Sequence, residues 1–206
     1  MRVSKEKAAH NHEQILAAAA RLFREHGITA TGVDSITRAA GLTHGGLYSQ
    51  FGSKEAIAAE AIRLASAQSR RRWQRAAERG GAAQIFPSIV ETYLTPAHRD
   101  APGHGCVIAA LATEVGRQPK AIRKAFTREL KSTLKFLGGV MPGKNPSDQF
   151  ESAATAFSCM VGALILARAV NDDALSNRIM KAAAARVADF TRISGKKTRN
   201  WPRRQV

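Results

Sequence analysis

Acidic side chains are scarce: 16 Asp and Glu stand against 32 Lys and Arg, leaving a formal charge of +16 and a pI near 10.9. Polyanions are therefore the first partners to consider. Cysteine is nearly absent. Cys106 and Cys159 permit at most one bridge and form no Cys-x-x-Cys pair, which excludes a disulfide scaffold and gives no footing for a zinc or thioredoxin-like centre. A reducing cytoplasm is the expected compartment. Long apolar runs are also missing. The most apolar stretch, Ala153 to Ala167, falls short of the ~20 residues that span a bilayer, and Arg168 closes it. The charged start, Met1 to Lys7, is not followed by the apolar core of a signal peptide, so neither secretion nor a membrane partner is expected. Catalytic signatures are lacking as well: there is no Gly-x-Ser-x-Gly elbow, dinucleotide fingerprint or His-Glu-x-x-His. No enzyme activity, cofactor or metal is expected.

What the 206 residues do contain is helical periodicity, with 44% hydrophobic residues to build a core. Ile15, Leu16, Ala19, Leu22 and Phe23 share one helix face, and Gly27 ends that helix. Thr31-Gly32-Val33-Asp34 has the form of a capping box opening a short helix to about Ala40. Gly41-Leu42 breaks it, Thr43 can cap a helix over 44–50, and Ser53-Lys54-Glu55 opens a long helix running into the basic segment Arg70 to Arg75. Beyond Gly80-Gly81, five further segments read as helices: 85–94, 105–115, 119–137, 146–170 and 174–193. The pattern predicts an all-α protein of about nine helices.

A helix, a tight glycine turn and a second helix is common in α-helical proteins. The surrounding residues sharpen it. Ile15 to Ala19, Leu22-Phe23, Gly27, Val33 to Ile36, Ala39 to Leu42, Gly45 to Tyr48, Phe51 and Ser53-Lys54-Glu55 together resemble the TetR family of bacterial transcriptional regulators. The resemblance is dense over about 50 residues and weak beyond them. It implies a helix-turn-helix DNA-binding head at 1–52, a connecting helix at about 53–79, and a ligand-binding and dimerisation body at 80–195. The basic tail, 196–206, reads as disordered.

Within such a head, the 44–50 helix enters the major groove. Thr31, Thr43 and Lys54, at helix starts, are then expected to meet phosphates, and Gly45 and Gly46 to admit close backbone approach. His44, Ser49 and Gln50 are left to read bases, Gln50 being able to pair with adenine. Tyr48 fits either a phosphate contact or the head's core, whereas Leu42, Leu47 and Phe51 belong to the core. The sequence departs from the family at His44 and Gly46, where lysine and threonine are common, so DNA specificity is not transferable.

Charge does not mark the reading site. Residues 1–52 hold six basic and four acidic side chains, while 63–80 hold six against one and 117–135 seven against one. The 117–135 run reads as a solvated helix face; the 70–75 run, closer to the head, is expected to attract DNA at long range. Gly138 to Asn145 imitates a phosphate-binding loop but lacks the magnesium-holding hydroxyl and follows a helix rather than a strand. His98, His104 and Cys106 lack a second cluster that would make them a metal site.

In the body, small residues at spacings of three and four suit close helix packing. The resemblance implies that the last two helices form a homodimer interface, with Ala156, Cys159, Ala163, Leu166, Ile179, Ala183 and Arg186 as candidates. A twofold dimer requires a palindromic double-stranded operator. Phe86, Tyr93, Leu111, Phe126, Leu130, Phe157 and Met160 are the apolar candidates for a small-molecule effector cavity, and each also fits plain core. Cys106 begins a helix, where a thiolate is favoured; it fits either an electrophile-sensing thiol or a small core residue. The expectation is a cytoplasmic repressor released by a small-molecule or electrophile effector. The competing reading is a helical ligand-binding module or enzyme that does not read DNA sequence.

Overall fold

The computed structural model describes residues 5–42, 44–80, 85–141, 143 and 145–189. Among these, ten α-helices and no strand occur, one helix more than the periodicity predicts. The first, α1 (Lys5–His26), buries Ile15, Ala19, Leu22 and Phe23, the expected stripe. It stops at Gly27, whose φ of +84° favours a residue without a Cβ.

The turn after α1 corrects one expectation. α2 (Val33–Ala39) has Gly32 as its N-cap with no side-chain cap, so the Thr31 capping box does not form. The Thr31 hydroxyl instead donates backwards to the Gly27 carbonyl at 2.6 Å, and the residue is 2% exposed. At the far end, Gly41 N–H donates to the Arg38 carbonyl and Leu42 N–H to the Thr37 carbonyl, with Gly41 at φ +68°. This is a Schellman closure, and it turns the chain sharply into α3 (His44–Phe51).

Helix α4 (Lys54–Gly80) is more than a connector. Ser53 caps it, its hydroxyl accepting from Ala56 N–H at 3.1 Å. It packs against both α1 and α8 (Lys120–Gly138), so it is shared by head and body. Trp73, buried on α4, meets the rings of Tyr93, Phe136 and Phe157 at centroid distances of 6.1–6.4 Å, which joins four helices at one aromatic junction. Arg70 pairs with buried Glu129 of α8 at 3.0 Å. Arg70 is thus partly interior, while Arg71, Arg72 and Arg75 of the same run are exposed.

α5 (Ile85–Tyr93) leads to the additional short helix α6 (Pro96–Asp100), capped by Thr95, inside a stretch that reads as a Pro and Gly loop. A 3-10 turn, Pro102–His104, precedes α7 (Val107–Val115). α9 (Pro146–Ala169) is capped by Asn145, whose side chain accepts from Ser147 and Asp148 N–H, and α10 (Asp173–Asp189) follows with Asp172 accepting from Leu175 N–H. α9 is the one helix among the described residues with the length and apolar composition of a membrane span. Ala153, Ala156, Phe157, Met160, Leu164 and Ala167 bury one of its faces in the protomer core, as expected of an interior helix. The basic tail, the last residues of the final predicted helix, Thr43 and Lys144 lie outside the described residues.

Candidate functional site

Two features carry chemistry, and the first is the outer face of α3. Leu47 and Phe51 point into the head, Leu47 fully buried, which turns Tyr48 and Ser49 outward as exposed residues. Phe51 stacks on His12 of α1 with centroids 4.2 Å apart, and His12 Nε2 lies 3.3 Å from a Glu60 oxygen on α4, so the two neighbouring helices hold α3 in place. His44, Gly45 and Gly46 form the first turn of α3.

Three other predicted DNA contacts are placed differently. Thr31 is buried and its hydroxyl is committed to Gly27, so it meets no phosphate. Gln50 is half-buried against Ala8, Ala9, His12 and Glu13 of α1, with its Oε1 enclosed and unbonded, rather than projecting with Tyr48. Lys54 is half-buried and donates from Nζ to the Thr29 carbonyl at 3.3 Å.

The second feature is a cavity of about 360 Å³ in the body, between α4, α5, α6 and the start of α7. Of the predicted effector residues only Tyr93 and Cys106 line it. Phe86, Leu111 and Met160 are fully packed core, Phe157 lies behind Tyr93 against Trp73, and Phe126 and Leu130 sit half-buried on α8. The residues that sequence reasoning missed include Ser69, Arg72, Trp73, His98 and His104. A signal for Trp73 was present, since it continues the buried positions Ile62, Ser66 and Ser69 on α4 at helical spacing. The serines and the surrounding arginines hid that stripe.

His98 organises the cavity wall. Its Nδ1–H donates to the Tyr93 carbonyl at 2.7 Å, and its Nε2 accepts from Cys106 N–H at 3.0 Å, which fixes a neutral ring. Burial, opposed by the Tyr93 bond and reinforced by the Arg168 and Arg72 charges, holds its pKa below the usual 6.5. With both ring nitrogens committed, His98 does not act as a metal ligand. Gly105 is required beside it, because a Cβ there would stand 2.7 Å from His98 Nε2.

Head and body meet around this wall. Arg24, buried on α1, donates to the Gly105 carbonyl at 3.2 Å, one residue before Cys106. Burial, then the Arg72 charge, pushes its pKa down to about 10, which leaves it charged at neutral pH. On α7, Glu114 accepts from Ile28 N–H at 2.9 Å, Thr29 N–H at 2.7 Å and the Thr29 hydroxyl at 2.6 Å.

Comparison with known proteins agrees with this architecture. The family profile "Bacterial regulatory proteins, tetR family" matches residues 15–61, the segment from mid α1 into α4. An HTH-type transcriptional regulator of Mycobacterium tuberculosis is 26% identical over 168 residues, covering 78% of this chain and 85% of the relative. A TetR-family regulator from Cytophaga hutchinsonii superposes with a TM-score of 0.74 at 20% identity, over 93% of this chain and 98% of that one. The reduced form of E. coli NemR gives 0.70 at 19% identity, over 87% and 96%. Residues 15–61 are thus a TetR-family helix-turn-helix segment, and the chain has the fold of TetR-family regulators. That family is one of DNA-binding proteins rather than enzymes, and the matched helix-turn-helix of this chain is α2, the Gly41 turn and α3.

The body also exposes apolar surface on its last two helices. Leu166 is 56% exposed and Leu175 41%, while Cys159, Ile179 and Ala183 are half-buried and Arg186 exposed. A Cβ placed on Gly162 would meet open space. Ala156 and Ala163, predicted for the same face, are instead buried within the protomer.

Proposed function

We propose that this regulator is a homodimeric cytoplasmic repressor that reads a palindromic operator through α3 and leaves it when a small molecule fills the Cys106 cavity. Tyr48 and Ser49 supply outward side chains for phosphate and base contacts, and the first turn of α3 supplies Gly45 and Gly46 for close approach. The head extends to about residue 52, with α4 continuing into the body. Two copies join through the exposed side of α9 and α10 at Leu166, Cys159, Ile179, Ala183 and Arg186, which would place two recognition helices on successive half-sites.

The observation that carries the release mechanism is the bond from Arg24 to Gly105, because it joins the helix supporting the head to the residue adjoining the cavity's thiol. An effector that favours one position of the 103–106 segment thereby favours one position of α1, and it shifts the dimer between operator-matched and mismatched spacings. Electrophiles belong to the candidate effectors because Cys106 lines the cavity.

Selection of bound duplexes from a random DNA pool at near-physiological salt tests the reading, with Tyr48→Ala, Ser49→Ala run alongside. An enriched palindrome lost by the variant supports it. Salt-sensitive binding with no enriched motif overturns it in favour of a helical module whose positive charge alone attracts DNA.

A further inference from the structure

The cavity beside Cys106 is lined by a cation and by no carboxylate among the described residues. The cation, Arg72, stands at its wall and donates to Ser69 Oγ at 3.0 Å. Arg24 lies behind the Gly105-Cys106 segment with its only described bonds to a carbonyl, and its Nε is buried without a partner. Arg168 donates to the carbonyls of His98 and Arg99 at 2.7 and 3.0 Å, so it too is held by neutral acceptors on the same wall. Three guanidinium groups thus flank Cys106: Glu25 acts on Arg24 and Asp100 on Arg168 from outside the lining, while Arg72, exposed at the cavity, has no bonded carboxylate among the described residues.

Tyr93 provides an independent observation. It lines the cavity at 3% exposure, and its hydroxyl, with the weakly accepting Cys106 thiol beside it, makes no hydrogen bond of good geometry among the described residues. Burial, and then the neighbouring Cys106, raise the Tyr93 pKa well above the usual tyrosine value, so the group stays protonated and remains a donor. A buried O–H without an acceptor is an uncommon arrangement that a bound acceptor would satisfy. The N-terminal end of α7 opens at the same place, with Cys106 as an N-cap that makes no side-chain cap bond. Trp73, next to Arg72 on α4, adds apolar surface to the same lining.

We propose that the cavity takes a small aromatic carboxylate, its anionic group received by Arg72 and the Tyr93 hydroxyl and its ring against Trp73. The inference rests on the reading of this cavity as the effector site and names the chemical class of the effector. The anion would satisfy the unpartnered donor and pair with Arg72, whereas a neutral molecule of the same shape would accept the Tyr93 hydrogen bond but leave Arg72 without an ionic partner. An amine would add a fourth cation to the cluster.

Calorimetric titration of the full chain with 3-phenylpropanoate and 1-naphthoate, each beside its primary amide, tests the proposal. At least one carboxylate should bind about tenfold or more tightly than its amide. Tyr93→Phe and Arg72→Gln should each weaken that binding about fivefold or more, with Arg72→Lys recovering part of it. Circular dichroism on each variant establishes that it is folded, and Tyr93→Phe keeps the packed ring. Equal binding of acid and amide, unchanged binding by Tyr93→Phe and Arg72→Gln, or no carboxylate binding at millimolar concentration overturns the proposal. Operator affinity measured with the same compounds separates the two levels. A carboxylate that binds in the cavity without weakening operator binding leaves the anion site standing and removes the release mechanism. Release of the operator by a neutral compound, with no carboxylate bound, does the reverse.

Discussion

Arg24 and Gly105 lie 81 positions apart in sequence, yet a buried guanidinium bond of 3.2 Å joins them. The contact ties the supporting helix of the head to the segment that shapes the cavity. It is reinforced some turns away by Glu114, which gathers the loop following α1 onto α7. The cavity wall and the head are therefore joined through α1 and the loop that follows it.

Glu114 is the first to test. Burial alone would raise its pKa, but the bonds from Thr29, Ile28 and Gln118 outweigh it and hold the carboxyl below its ordinary value of 4.5. A depressed carboxylate contributes stability that is complete above about pH 4.5 and is lost as pH falls through the folded value. Glu114→Ala should cost about 1–3 kcal/mol at pH 7, since two backbone N–H groups lose their acceptor. Denaturant melts should show the gap to wild type constant above pH 4.5 and narrowing below it.

Gly27 is constrained twice. Its φ is +84°, and an added Cβ would fall 2.6 Å from Glu114 Oε2. Gly27→Ala should therefore destabilise by about 1–3 kcal/mol in urea unfolding, combining backbone strain with displacement of the carboxylate. The Gly27→Ala, Glu114→Ala double variant should lose less than the sum of the two single effects.

Protonation of His98 would turn its Nε2 from acceptor to donor and break the bond from Cys106 N–H. Because its folded pKa lies below 6.5, stabilisation by the neutral ring is complete above pH 6.5 and declines as pH falls towards the folded value. The groups facing the ring are the Tyr93 carbonyl, Cys106 N–H and the Arg168 and Arg72 charges, none of which favours the doubly protonated form except the Tyr93 carbonyl. Thermal midpoints measured between pH 5 and 8 should fall on the acid side in wild type, and less so in His98→Asn.

The Glu129–Arg70 pair is nearly enclosed, with side-chain exposures of 5% and 20%. Glu129→Ala alone should cost about 3 kcal/mol or more by leaving Arg70 without its counter-charge, whereas Arg70→Met with Glu129→Leu should recover most of that loss. Chemical denaturation of the three variants checks the ordering.

Leu166→Glu places a charge on the most exposed large apolar side chain of α9. Sedimentation should show wild type as a dimer and this variant as a monomer with unchanged helicity, since Leu166 contributes little to the protomer core.

The head was legible because its signals are local. The stripe from Ile15 to Phe23, the stop at Gly27 and the Gly41-Leu42 turn all follow from spacing and from backbone conformations that glycine permits. Thr31 misled because a hydroxyl two residues before a helix can turn forward to cap it or backward to a carbonyl, and the Gly27 carbonyl lies within reach only in three dimensions. Gln50 misled for a related reason: the flank of α3 that it occupies is covered by α1. The cavity was less legible still. Ser69 and Trp73 lie on a helix face diluted by arginines, and buried Glu129 looks from sequence like one acid on a solvated basic face. Which charges are interior depends on the pairing of α4 with α8, a contact between segments remote in sequence.

The central claim is that the head and the cavity form one coupled unit through α1. Hydrogen exchange of the full chain, with and without a duplex obtained by selection, tests it most directly. The account predicts slower exchange not only across residues 31–54 but also at the Ile28 and Thr29 amides held by Glu114 and at the start of α7 beside Cys106. Protection confined to residues 31–54, with α7 unchanged, would contradict it.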